Sequence, residues 1–142
     1  MPMQNLPQRV AELLSAFHTF GPKDLDTIDA LYAPHLRFVD PIQEIRGLEE
    51  FHRMNERLLQ RSSYVRFDNL EVVGDEPYFM ISWHMEMRLN IGLKITMDGV
   101  SAFRTEGGLI VDQRDYWDLL SSFAGALPGV GPVYRRLVAL LG

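Results

Sequence analysis

Apolar positions along the chain recur mainly at helical spacing up to Ser62 and then switch to alternation, so helices precede the long strands. Residues 8–20 place Val10, Leu13, Leu14 and Phe17 on one face, and Gly21-Pro22 ends that helix. A second helix is predicted from Asp24 to about Tyr32 on Leu25, Ile28, Leu31 and Tyr32, with Asp24 as its cap and Pro34 closing it. The short strand that follows ends in Phe38-Val39-Asp40-Pro41, and the proline biases Asp40 away from the helical region, which holds an acidic side chain at a strand end. Gly47 then opens a third helix. Its buried stripe is Leu48, Phe51, Met54, Leu58 and Leu59, and Glu49, Glu50, Arg53, Glu56 and Arg57 form its charged outer face.

After Ser62-Ser63 four strands are predicted: Tyr64 to Val73, Tyr78 to Ile91, Lys94 to Phe103 and Leu109 to Trp117, separated by glycine-containing turns. This is an antiparallel meander. In the second strand Phe79, Ile81, Trp83, Met85, Met87 and Leu89 alternate with Tyr78, Met80, Ser82, His84, Glu86 and Arg88, which gives one dry face and one mixed face. In the first strand the apolar parity shifts between Phe67 and Leu70, so a bulge near Asp68-Asn69 is expected to bend the sheet. The tail passes through Leu127-Pro128-Gly129-Val130-Gly131-Pro132 into a short helix with Val133, Leu137, Leu140 and Leu141, expected to pack over the opening of the sheet.

Composition narrows the functions that remain. A chain of 142 residues, 46% hydrophobic and 23% charged, suits one globular domain spanning residues 1–142. A net charge of −5, with the Lys and Arg scattered, leaves no positive field for nucleic acid. Without cysteine there is no disulfide or thiolate chemistry, and no third ligand is spaced to complete a metal site around the His84-x-Glu86 pair. The start of the chain lacks a secretory profile and no apolar run approaches the ~20 residues of a membrane span, so a cytoplasmic location is expected, with no membrane partner.

Three helices, a strand ending in Asp-Pro and a bent meander resemble the nuclear transport factor 2-like superfamily, whose fold serves ketosteroid isomerases, SnoaL-type polyketide cyclases and limonene epoxide hydrolases. The residues that carry the resemblance are Leu31-Tyr32-Ala33, Phe38-Val39-Asp40-Pro41, Gly47, Trp83, Gly99-Val100-Ser101-Ala102-Phe103 and Gln113-Arg114-Asp115-Tyr116-Trp117-Asp118. The resemblance implies an α+β, cystatin-like cone: three N-terminal helices on a strongly curved, mostly antiparallel sheet, plus a C-terminal helix. It also implies a hydrophobic pocket and a homodimer through the outer sheet face, where His84 would lie.

By the same resemblance Asp40 falls where ketosteroid isomerases keep their general base. Their oxyanion-hole tyrosine corresponds to a position on or next to Ala16, and their protonated acid to Gly99, so both donors are replaced here. The run Arg114-Asp115-Tyr116-Trp117-Asp118 is similar to a segment of limonene epoxide hydrolases in which an aspartate helps position the attacking water. The neighbouring-strand Arg and Asp of those hydrolases correspond to Met97 and Gly99. Asp115 shares parity with Trp117, a cavity-facing position in the isomerases, and is thereby placed inside.

Asp40 and Asp115 are therefore the candidate catalytic residues, each with a plainer alternative. Asp40 can cap its own turn, and Asp115 can pair with Arg114 or a neighbouring-strand cation. Trp83, Met85, Met87, Met97, Ser101, Phe103, Trp117, Phe17 and His52 are the expected pocket lining, whose methionines would adapt to a flat or branched ligand. Two functions follow: a cofactor-independent isomerase, cyclase or hydrolase acting on a small hydrophobic molecule, or a non-catalytic binder of a lipid-like or terpenoid-like one.

Overall fold

A computed structural model of the chain describes residues 5–126 and 129–140. Helix α1 (Leu6–Ala16) begins where the Asn5 side chain accepts the Gln8 amide, and it runs into a 3₁₀ turn at Phe17–Thr19. A second 3₁₀ turn at Pro22–Asp24 leads to α2 (Leu25–Asp29). Then follow β1 (Tyr32–Val39), β2 (Glu44–Arg46), α3 (Leu48–Arg61), β3 (Ser62–Asp75), β4 (Tyr78–Leu89), β5 (Lys94–Glu106) and β6 (Leu109–Trp117). Two helices, α4 (Leu119–Ala126) and α5 (Val130–Ala139), end the described chain.

The six strands form one sheet in the order β2-β1-β6-β5-β4-β3, antiparallel except where β1 runs parallel to β6. Three helices precede the long strands, as the hydrophobic pattern predicts. The expected bulge is present: the β3–β4 register shifts between Asp68 and Glu71, and Asn69 takes a positive φ of 54°. Alternation in β4 also holds, with Phe79, Ile81, Trp83, Met85 and Met87 buried and their neighbours more exposed.

Three elements differ from the sequence reading. The second helix stops at Asp29, and Tyr32 already belongs to β1, which passes through Pro34. Pro34 is tolerated because β1 pairs with β2 only from Arg37 onward and its register against β6 slips between Tyr32 and Arg37, so no ladder hydrogen bond is lost. The three-residue strand β2 is an addition. In the tail, α4 and not the last helix reaches the interior through Phe123 and Ala124, whereas Val133 and Leu137 of α5 are exposed. Leu127, Pro128 and Leu141 lie outside the described residues.

Helix α3 is the element that closes the open side of the sheet. Gly47 enters it at φ 92°, a conformation that favours glycine, and its amide bonds the Leu36 carbonyl at 2.7 Å. Glu49 and Glu50 stand in the first turn and Arg61 in the last, the arrangement that complements the helix dipole. Phe51 packs its ring against Tyr32 at 4.7 Å and Phe38 at 5.4 Å, which fixes α3 to β1. In the core Leu25, Leu36, Ile81, Ile95 and Ile110 are almost wholly buried, each contributing roughly 1.5–3 kcal/mol of transfer free energy.

Candidate functional site

Sheet curvature, α1 and α3 enclose a cavity of about 510 Å³. Phe17, Trp83, Met85, Met87, Met97, Ser101 and Trp117 line it, together with Asp40 and Asp115. Two residues expected there sit elsewhere. Phe103 is buried against Phe79, with which it stacks at 4.7 Å. His52 turns toward α2 because the cavity stripe of α3 runs through positions 51, 54, 55 and 58, and position 52 falls on the adjoining face. Its Nδ1 lies 2.5 Å from Asp29 Oδ2.

Asp115 stands at the centre of a hydrogen-bond chain with two arms. The register sets Ser101 directly across from it, and the Ser101 hydroxyl donates to Asp115 Oδ1 at 2.6 Å. Trp83 Nε1 donates to Ser101 Oγ at 3.0 Å, so the serine proton is directed to the carboxylate. On the other arm Gln113 Nε2 donates to the same Oδ1 at 3.0 Å, and the Tyr32 hydroxyl donates to Gln113 Oε1 at 2.5 Å. All four partners are buried and neutral. Asp115 Oδ2 accepts no hydrogen bond from the described residues.

Desolvation is the main reason the Asp115 carboxyl is pushed up to about 6; the bonds from Gln113 and Ser101 oppose it, and the nearby Asp40 charge adds to it. Burial likewise drives the Tyr32 hydroxyl well above its ordinary range, reinforced by Asp115 and Asp29. Tyr32 is thus a fixed donor. Asp115 instead titrates near neutrality, with one oxygen left for a proton. Neither Arg114 nor a neighbouring-strand cation pairs with it among the described residues.

Asp40 also lines the cavity, but its oxygens serve the turn between β1 and β2. Oδ1 accepts the amides of Ile42 at 2.8 Å and Gln43 at 2.9 Å, and Oδ2 accepts Gln43 Nε2 at 3.4 Å. The Asp40 amide closes the turn on the Gln43 carbonyl at 3.0 Å. Register carries Phe38 beside Gln113 and Val39 beside Arg114, so the turn brings Asp40 to the level of Asp115.

Gly99 explains how the indole of Trp83 reaches its place. A Cβ at position 99 would stand 2.3 Å from the Trp83 ring, closer than carbon atoms approach, so Trp83 occupies the room a side chain there would need. On the outer face His84 pairs across the strands with Asp98 at 2.8 Å. Away from the cavity, Asp26, Asp29 and His52 bring one ligand atom each within 4.8 Å of one another, a group able to hold a metal ion.

Sequence reasoning missed Tyr32, Gln113 and Asn55. Gln113 has the inward parity of Asp115 and Trp117, which was signal enough to find it. Asn55 lies one helical turn past Phe51, is buried and lines the cavity, and its amide has no bond among the described residues.

Comparison with known proteins agrees with this architecture. An LEH-like epoxide hydrolase from M. tuberculosis is similar over 96% of this chain and 94% of its own, at 23% identity and a TM-score of 0.68. An NTF2-like protein of unknown function from Burkholderia pseudomallei matches at a TM-score of 0.73 and 21% identity, over 89% of this chain and all (100%) of its own. A protein with a ketosteroid isomerase-like fold from Catenulispora acidiphila, solved with trimethylamine, matches at 0.71 and 18%, over 84% and 92%. At these identities the likeness concerns the fold alone. No curated protein sequence matches the chain. The family model of the SnoaL-like domain matches residues 13–113, from the first helix to the glutamine that orients Asp115, and the chain belongs to that family.

Proposed function

We propose that this protein is an enzyme that moves a proton on a small hydrophobic molecule held in the cavity, with Asp115 as general base. The observation that carries this reading is the division of labour within one carboxylate: Oδ1 is fixed by Ser101 and Gln113, and Oδ2 is left without a partner in an apolar enclosure. A carboxyl pushed to about 6 is mostly ionised at neutral pH and still basic enough to take a proton from a carbon acid or a water. Asn55 offers the free amide to hold an oxygen of the substrate. No cofactor enters this chemistry. Isomerisation, cyclisation and epoxide hydrolysis, the reactions of the resembled families, all need such a base, and the M. tuberculosis relative is an epoxide hydrolase. The test is turnover of ketone and epoxide panels by the wild type and Asp115→Asn. Retention of turnover by the variant would exclude Asp115 as the base.

A second reading, a binder without catalysis, is favoured by Gly99. Where ketosteroid isomerases keep an oxyanion-stabilising acid, this chain has no side chain, and the Trp83 ring fills the space. Ligand binding with no turnover across both panels would select it.

The outer sheet face supports pairing of two copies. Val73, Met80 and Ala102 stand side by side there, flanked by Ser82, Val100 and Tyr116, and Met80 and Tyr116 are more than half exposed at 51% and 55%. Sedimentation velocity is expected to find a dimer that Met80→Glu dissociates; a wild-type monomer at micromolar concentration would remove this assembly.

A further inference from the structure

The cavity wall formed by α3 is graded in exposure. Phe51 and Asn55 are buried, Arg57 and Arg61 are exposed, and all four line the same cavity, so along α3 it meets solvent at the C-terminal end of the helix, as it also does at the exposed Ile42 of the β1–β2 turn. Those two arginines are the only basic side chains among the lining residues.

Arg53, Arg57 and Arg61 follow one another four residues apart and so stack like charges on one stripe of α3. Glu49, at 2.6 Å, and Glu50 neutralise Arg53. Arg57 and Arg61 have no ion-pair partner among the described residues. Capping of the helix end does not need them either. The last carbonyls are bonded by Asn90, whose amide reaches Arg61 at 2.9 Å and whose side chain reaches Gln60 at 2.7 Å.

Asp115 occupies the other end of the same space, while Asp40 sits between, linked through Gln43 to Met54. Phe51 packs on Tyr32, whose hydroxyl begins the chain that leads to Asp115, and helical rise sets Arg57 and Arg61 about 9 and 15 Å further along the wall. A ligand carrying an anion beside Asp115 would be repelled, whereas one with an anion at the mouth would be attracted. We infer that Arg57 and Arg61 form a subsite for the carboxylate of an amphipathic acid whose apolar body fills the cavity and whose far end meets Asp115. This rests on the cavity being the ligand site proposed above and specifies its substrate class.

Trp83 and Trp117 both line the cavity, so indole fluorescence reports its occupancy. Full-length protein is titrated with decanoate and, separately, decanol, using wild type, the double variant Arg57→Gln/Arg61→Gln, and Arg88→Gln on the outer sheet face as control. Wild type and control are expected to bind decanoate more tightly than decanol, with a preference that shrinks in high salt. The double variant is expected to lose about tenfold in decanoate affinity and keep its decanol affinity, since a guanidinium–carboxylate bond is charge-assisted but sits at a wet rim. Equal decanoate binding by the double variant and wild type, or no preference in the wild type, overturns the subsite and leaves the cavity reading intact. Failure of both probes to bind overturns both.

Discussion

Two aspartates share one cavity and do opposite things with their oxygens. Asp40 spends Oδ1 on two backbone amides and Oδ2 on Gln43, so it holds the β1–β2 turn in shape. Asp115 rests on the wall of a strand, where the backbone amides are already in the ladder, and only side chains can reach it. Proximity to a pocket therefore does not make an acid a base. What matters is whether an oxygen remains uncommitted and how dry its surroundings are.

Removing each charge separately tests the two roles most severely. Asp115→Asn is expected to lower turnover by roughly 10²–10⁴, the usual contribution of a general base, and Asp40→Asn by less than about tenfold. Equal losses in steady-state assays would place both acids in the chemistry. Wild-type turnover is expected to rise with pH through about 6 as Asp115 ionises.

Stability sharpens the contrast next. Because folding raises the Asp115 carboxyl from 3.8 to about 6, the protonated form is favoured in the native state. The benefit of that form is complete below the unfolded value and vanishes as pH climbs through 6. Asp115→Asn, which cannot ionise, should match the wild type near pH 3.5 and exceed it by up to about 3 kcal/mol at pH 7.5 in urea denaturation. A gap that does not grow with pH would contradict a half-buried carboxylate desolvated by the cavity wall. The smallest effect is expected at the turn, where Asp40→Ala removes bonds to two amides and should cost about 1 kcal/mol at pH 7. A cost above about 3 kcal/mol would mean that Asp40 supports more than its own loop.

Sheet and site differ in how far they could be read from the chain. Alternation in β4 and the parity slip at Asp68-Asn69 are local signals, and both survive folding because one sheet face is dry. Tyr32 deceived because its spacing from Ile28 suits a helix, yet its ring is claimed by Phe51, more than a turn's worth of sequence away. Helix α4 was hidden because its residues are apolar or small on every side, which leaves no periodic stripe. Asp115 was visible through its parity with Trp117, but the fate of its two oxygens depends on Ser101 and Gln113 meeting across a strand pair, a fact of register that no local pattern encodes.

The extra residue at Asn69 makes β3 longer than the partner it faces, and a strand with surplus length must arch. That bulge, one of two register shifts between β3 and β4, stands on the opposite edge of the sheet from β2 and far in sequence from Ser101, Gln113 and Asp115. Deleting or doubling it would resize the chamber and leave every polar contact within it spelled by the same letters. Yet the bulge faces Trp83, whose indole donates to Ser101, so the size of the chamber and the aim of its serine proton hang on one stretch of backbone.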